Sequence, residues 1–291
     1  MLLIVGILIV FGSVIGGFMM AGGSVVLLWQ PSEYVVILGC AVGATIISSP
    51  LSTIKAIVHG LIAIFKGDPY TKQEYLNLLK MLFDFFNTAT HDGLIGIEQH
   101  MEEPEKSTIF KKNPFFLAYH EALYYMLDTI RLLMAGAGGI PPHDLEALLD
   151  QDLEVMYEEA LHPSNLLGKI AESLPGLGIV AAVLGIIITM QSIGGSAEAV
   201  GKHVAAALVG TFLGILACYG FVQPLAAYLE TAKKAGISYI ECVKAAMLAY
   251  HKGIPPTLIV EFARRAIPTE VRPTFAEAEQ AIRDVKKAGH S

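Results

Sequence analysis

Charge is scarce in this sequence. Of 291 residues, 16% are Asp, Glu, Lys or Arg and 54% are hydrophobic, with a mean hydropathy of +0.55. That balance excludes an ordinary water-soluble globule and points to a membrane protein. Basic residues are fewer than acidic ones, and the net charge of −7 argues against a nucleic-acid partner, which needs a basic face. No Lys or Arg precedes Lys55, so the apolar run 1–20 lacks the basic start of a secretory leader and reads as a transmembrane helix. Cysteine is limited to Cys40, Cys218 and Cys242, too scattered for a disulfide framework or a metal site. HExxH, GxSxG, Walker A and dinucleotide-binding patterns are absent and the nine histidines show no ligand spacing, so the sequence offers no enzyme site, metal or cofactor.

What the chain does contain is long apolar runs. Residues 174–191 and 204–229 carry no charged or His side chain, and each is long enough to cross a hydrocarbon core of about 30 Å. The turn between them, with Gly194, Gly195, Glu198, Gly201, Lys202 and His203, belongs in water. Residues 34–49 form another span, so the chain reads as two membrane hairpins. Glu33 and Glu172 are placed at membrane edges, leaving the four spans without an ionisable group. Pro175 is expected to open the third span, and Pro224 sits near the end of the fourth; each removes a backbone donor. Thr189, Thr211, Cys218 and Tyr219 punctuate these helices. Gly12-x-x-x-Gly16, Gly39-x-x-x-Gly43 and Gly210-x-x-x-Gly214 offer close-packing faces. These features fit two lipid-facing helices packed on each other as well as a path lined by polar groups.

Between the hairpins, 51–169 has the composition of a water-soluble segment. Residues 51–65 are amphipathic. Thr71-x-x-Glu74 caps a helix bearing Leu78, Leu79, Leu82, Phe85 and Phe86. Asn113-Pro114 opens a helix to about Met134, stopped by Gly136, Gly138 and Gly139, and Pro142 opens another to about Leu161. After Pro224 a helix should continue through Tyr250, followed by short helices at 257–266 and 275–287, the latter capped by Thr274-x-x-Glu277. The fold class is therefore all-α: a polytopic membrane protein with four transmembrane helices and a large helical cytoplasmic domain. The expected division is 1–50 (first hairpin), 51–170 (cytoplasmic helical domain), 171–229 (second hairpin, lining a path) and 230–291 (cytoplasmic tail). Segments 51–169 and 228–291 hold nine and ten of the 20 Lys and Arg, and Lys202 is the remaining one, so both termini should be cytoplasmic. The acidic stretch of the middle segment, Glu98 to Glu105 and Asp144 to Glu159, reads equally as a solvated face or as a docking surface for a basic partner.

The segments SLPGLGIVAAVLG and ALVGTFLGILACYGFVQPLA, with GLIGIEQHMEEPEKSTIF, IVEFARRAI and RPTFAEAEQAIRDVK, resemble MotA-type flagellar stator subunits of the MotA/TolQ/ExbB proton channel family. The resemblance covers almost the whole chain in order. It implies an ion-conducting stator subunit of the bacterial flagellar motor in the cytoplasmic (inner) membrane. Such a subunit forms a ring of five around a pair of MotB-like subunits, which bring the ion-carrying Asp, and it pushes on the rotor protein FliG. By matching positions, Pro175 and Pro224 correspond to prolines beside the ion path, and Thr211 and Tyr219 to polar pore-facing residues. Glu98 and Asp152 fall on the rotor-binding face. Ala182 stands where sodium-driven relatives carry threonine, which points to translocated H+ and no cofactor. Thr90 departs from the family, which often has a basic residue there. The alternative is an ExbB- or TolQ-like energy-transducing channel subunit, which usually has three spans.

Overall fold

The computed structural model describes residues 2–288 except Ala137, Gly138, Ser192, Ile193 and Gly195, so Gly138 and Gly195, expected above in turns, lie outside the described residues. The described residues form helices and no strand. In order these are α1 (Leu2–Met20), a 3-10 turn (Val25–Leu28), α2 (Pro31–Ser48), α3 (Leu51–Lys66), α4 (Lys72–His91), α5 (Gly93–Glu102), α6 (Pro114–Ala118), α7 (His120–Ala135), α8 (Pro142–Gln191), α9 (Ala197–Ile215), a π-helical turn (Leu216–Val222), α10 (Gln223–His251), α11 (Pro256–Ala266) and α12 (Phe275–Ala288). Four helical stretches are long and apolar enough to cross a membrane: Leu2–Met20, Val25–Ser48, Pro142–Gln191 and Val200–His251. The chain is thus an all-α polytopic membrane protein.

Two expectations need correcting. Pro175 does not open a span: α8 runs unbroken for 50 residues with Pro163 and Pro175 inside it. Pro175 lacks the N–H that would bond the carbonyl of Ala171, but its φ is already helical, so the helix tolerates it. The helix opened by Asn113-Pro114 is two helices, because the backbone of Tyr119 leaves the helical region (φ −90°, ψ 82°). That bend seats the Tyr119 ring against Tyr70, Phe115 and Tyr239. Glu33, expected at a membrane edge, is buried within the protein. It lies in the first turn of α2 and is 6% exposed.

The chain divides into two compact units. The first, Met1–Gly67 with Leu161–Ala232, holds the membrane hairpins. Its spine is the contact of α8 with α9, where side chains are nearly dispensed with. A methyl group placed on Gly178 would come within 2.8 Å of the Gly210 carbonyl oxygen and 3.1 Å of the Gly214 Cα. One on Gly214 would meet the Leu174 carbonyl oxygen at 2.5 Å, and one on Gly185 the Ala207 Cβ at 2.9 Å. Gly210-x-x-x-Gly214 is therefore a genuine packing face. By contrast, nothing approaches Gly12, Gly16, Gly39 or Gly43, and no residue of α1 is buried.

The second unit, Asp68–Ala160 with Lys233–Ser291, has a dense core. Leu78, Leu79, Leu82, Phe85 and Phe86 of α4, all fully buried, form its centre with Met126 and Ile130 of α7 and Val243 and Met247 of α10. The spacing that marks α4 as amphipathic is the spacing that fills this core. Caps act as expected. Thr71 Oγ1 accepts from the Glu74 N–H, and Thr274 and Glu277 exchange bonds in a full capping box. Glu277 also pairs with Lys72 at 2.7 Å, tying α12 to the start of α4.

Candidate ion path

The residues expected to line a path lie on the antiparallel pair α8 and α9 and on the turn and helix that follow. Gly178 lies opposite Gly210 and Gly214, and Gly185 opposite Ala207. That register strings the six candidate residues along the height of the hairpin instead of gathering them in one pocket. Thr189 falls level with Gly201 and Lys202 at the polar turn. Ala182 meets Gly210 and lies near the level of Thr211. Pro175 comes next, and Tyr219 and Pro224 follow beyond it. A linear series of this kind suits passage of an ion better than binding of a molecule.

Each candidate has its own surroundings. The Thr189 hydroxyl is buried and donates to the Gly185 carbonyl at 2.8 Å, which leaves its oxygen lone pairs as the group it can offer. Thr211 is half-buried and Ala182 is 9% exposed. The Ala182 backbone N stands 3.2 Å from where a Gly210 side chain would begin. Tyr219 is 64% exposed on the π-helical turn, whose other face buries Cys218.

That turn explains Pro224. A proline nitrogen cannot donate, so the carbonyl of Gly220, four residues earlier, receives no bond from it. The backbone responds by widening, and the Gln223 N–H reaches five residues back to the Cys218 carbonyl. Wide turns inside α-helices cost regular hydrogen bonding and concentrate at functional positions. The ring of Phe11 in α1 packs on Phe221 here, with centroids 4.6 Å apart.

Glu33 was missed by reading the sequence as edge and span. Pro31 at the first helical position puts Glu33 in the first turn of α2, where a carboxylate suits the helix N-terminus. The sequence Gln30-Pro31-Ser32-Glu33 carries that signal. Hydropathy does not reveal that this turn is packed against Gly210. A side chain on Gly210 would overlap the Glu33 carboxyl, and Glu33 Oε2 is buried with no hydrogen-bond partner.

The two acidic candidates lie in the second unit. Glu98 is exposed on α5 and Asp152 is exposed on α8. Asp152 lines a groove of about 300 Å³ with Glu121, Tyr124, Tyr125 and Asp128. Thr90, where the family often carries a basic side chain, turns its hydroxyl inward to the Phe86 carbonyl at 2.7 Å. Among the described residues no group of three His, Cys, Asp or Glu is placed to hold a metal ion.

Comparison with known proteins identifies the scaffold. Residues 4–93 match the Motility protein A N-terminal model, and residues 115–241 match the MotA/TolQ/ExbB proton channel family. The chain is 37% identical over 286 residues to motility protein A of Escherichia coli strain K12, covering 98% of this chain and 96% of that one. The chain belongs to the motility protein A family. Chemotaxis protein LafT of Vibrio parahaemolyticus is 39% identical over 275 residues, covering 94% of this chain and 96% of that protein. Solved structures of motility protein A relatives share the fold. C. jejuni MotAB matches with a TM-score of 0.74 at 18% identity, covering 94% of this chain and 98% of that chain. The MotAB stator complex of Bacillus subtilis matches with a TM-score of 0.68 at 21% identity, covering 92% and 96%.

Proposed function

We propose that this chain is the ring-forming, ion-conducting stator subunit of a flagellar motor, and that it couples proton flow through a complex with a MotB-like partner to torque on the rotor. The observation that carries this reading is the relation to motility protein A along nearly the whole chain. The hairpin of α8 and α9 supports it. Its spans carry small and polar uncharged residues along their height and no ionisable carboxylate at the candidate positions, so a partner helix is needed to bring the ion-carrying Asp. Five copies around two partner chains is the arrangement the family implies. Ala182 offers no side-chain oxygen to a dehydrated sodium ion, which favours protons.

Pro175, Ala182, Thr189, Thr211, Tyr219 and Pro224 are the proposed path residues. Glu98 and Asp152, both exposed, are proposed to face the rotor protein FliG, where charge steers docking. The membrane is the bacterial inner membrane, with both termini and the second unit in the cytoplasm. Four spans, against the usual three of ExbB- and TolQ-like subunits, favour the stator over that alternative.

The test is swimming speed in a deletion strain complemented with this chain and its MotB-like partner. Restored swimming that ignores sodium and collapses with a protonophore is the expected result. Dependence on sodium would overturn the choice of ion. Failure to restore swimming with both subunits present in the membrane would overturn the stator assignment.

A further inference from the structure

A groove of about 630 Å³ lies in the first unit where α2 gives way to α3, and none of the proposed path residues lines it. One wall is the end of α2 with Ser49, Pro50 and Thr53. The other is a single stripe of α8, from His162 through Asn165 and Lys169 to Ser173, at the three- and four-residue spacing of one helix face. At its floor α2 and α8 close on each other, with Ala41, Ala171 and Leu174 in one buried cluster. Ile57 and Ile64 of α3 pack in another with Leu167 of α8.

The groove sits at the boundary of the membrane. The charge-free run of α8 begins at Leu174, five residues after Lys169, which is about 8 Å along the helix. The headgroup layer on each face of a bilayer is roughly 5–8 Å thick, so Lys169 falls at the level of the lipid phosphates. The apolar part of α2 ends there too. Ile46 and Ile47 are 64% and 89% exposed to the surroundings, and Ser48 and Ser49 follow them.

The donors in the groove have no partner within the chain. The side chains of Lys169, Asn165 and Thr53 make no hydrogen bond or ion pair among the described residues. By contrast the Thr45 and Ser173 hydroxyls donate to the Ala41 and Ile170 carbonyls, each at 2.7 Å. Pro50, the N-cap of α3, supplies no side-chain bond, so the first N–H groups of that helix also lack a cap. No Asp or Glu is among the lining residues. Such a set answers an anionic oxygen, and a lysine bond to phosphate is of the stronger, charge-assisted kind. A zwitterionic headgroup would bring an ammonium that no lining carboxylate meets. Inorganic phosphate would leave the apolar floor of Ala41, Ala44 and Ile170 uncovered. An anionic phospholipid satisfies both ends, its phosphodiester at Lys169 and its acyl chains along the exposed apolar face of α2.

We propose that this groove binds the headgroup of an anionic phospholipid, with Lys169, Asn165 and Thr53 on the phosphodiester, and that the bound lipid ties the corner between α2 and α3 to α8. Basic pockets between membrane helices take such headgroups. The inference needs the four spans and does not depend on ion conduction or on the rotor.

The experiment uses the intact complex with its MotB-like partner, purified in detergent and stripped of lipid. It is titrated with phosphatidylglycerol, phosphatidylcholine or inorganic phosphate while the melting midpoint is read. Phosphatidylglycerol should raise the midpoint saturably, as a ligand of the folded state does, and the other two should not. The half-saturating concentration should rise about fivefold or more in Lys169→Gln and stay near the wild-type value in Lys169→Arg. It should also hold in Lys66→Gln, which removes a cation exposed on α3 outside the groove. Concentration dependence is the readout, so a variant that is only less stable does not imitate the result. Should Lys169→Gln fail to assemble, Ala44→Trp carries the test, because it fills the groove and keeps its charge; it should weaken phosphatidylglycerol by a similar factor. Equal weakening by Lys169→Gln and Lys66→Gln would overturn the proposal, since surface charge in general would then hold the lipid. Phosphatidylcholine acting as well as phosphatidylglycerol, or inorganic phosphate acting alone, would overturn it too. So would the lack of any lipid response, which would leave the groove to a neighbouring copy of the chain. The same titration runs on this chain purified without the partner, so failure of the stator reading would leave the lipid site standing or falling on its own result.

Discussion

A single methyl group tests how closely α8 and α9 must approach. At Gly178 the neighbours are the Gly210 carbonyl and the Gly214 Cα, which are backbone and cannot swing aside. Gly178→Ala should therefore cost about 1–3 kcal/mol of hairpin stability, the usual scale of overpacking, read as earlier loss of the detergent-solubilised complex on heating. Gly12→Ala meets open space within the chain and should leave the isolated subunit unchanged by the same measurement. Equal destabilisation by both would mean that the close contact at Gly178 is not what holds the pair. The three motifs read identically in sequence, and only the contacts separate a used glycine stripe from one with open space beside it. Glu33 teaches the same lesson. Its residue type and its Pro31 are plain in the sequence, but burial against Gly210 depends on where α2 begins relative to α9, which no local pattern encodes.

At the scale of whole elements, much was legible because the signals are local. Apolar runs located the four spans, and the period of α4 named its core residues. Thr274 and Glu277 gave the start of α12. The misread boundaries are those where tertiary contacts override a local rule. Tyr119 breaks one expected helix to join an aromatic cluster, and Pro163 and Pro175 fail to break another. Pro224 can be tested on these terms. Pro224→Ala returns a donor to the Gly220 carbonyl and favours regular α-helix over the wide turn. Proton flux and motility should fall while the subunits still co-purify with the partner; loss of co-purification would instead make Pro224 an assembly residue. A pH prediction belongs to α11. Glu261 accepts from Arg264 at 2.7 and 2.8 Å and from Arg265 at 2.8 Å, and these bonds hold its carboxyl at about 2. The folded value lies below the ordinary 4.5, so this stabilisation is fully present above that pH and fades as pH falls toward 2. Glu261→Gln should flatten the acid side of the melting profile of the purified complex between those limits. An unchanged profile would assign acid sensitivity to other groups.

For the whole molecule the decisive property is the uneven distribution of charge about the spans. Of the 20 Lys and Arg, 19 lie in 51–169 and 228–291, and the two short loops of the opposite side hold Lys202 alone. Basic residues near span ends, here Lys55, Lys66, Lys169, Lys233 and Lys234, favour retention on the cytoplasmic side. Cysteine labelling of intact cells turns that asymmetry into a prediction. Cys40 is exposed within the span α2 and is first replaced by Ala; Cys218 and Cys242 are buried and stay in place. Burial also pushes the Cys242 thiol up from its ordinary value, so it remains protonated and inert to maleimide. On that background Lys202→Cys, exposed at the turn, should react with a membrane-impermeant maleimide in intact cells. Glu98→Cys, exposed on α5, should react only after the membrane is opened. The reverse pattern would invert the topology and remove Glu98 and Asp152 from any cytoplasmic rotor. The expected pattern leaves the periplasmic side with two small loops, too little to grip a fixed structure. Anchorage must then come from the partner subunit, so motility in the labelled strains should vanish when that partner is withheld even though this chain still inserts and labels normally.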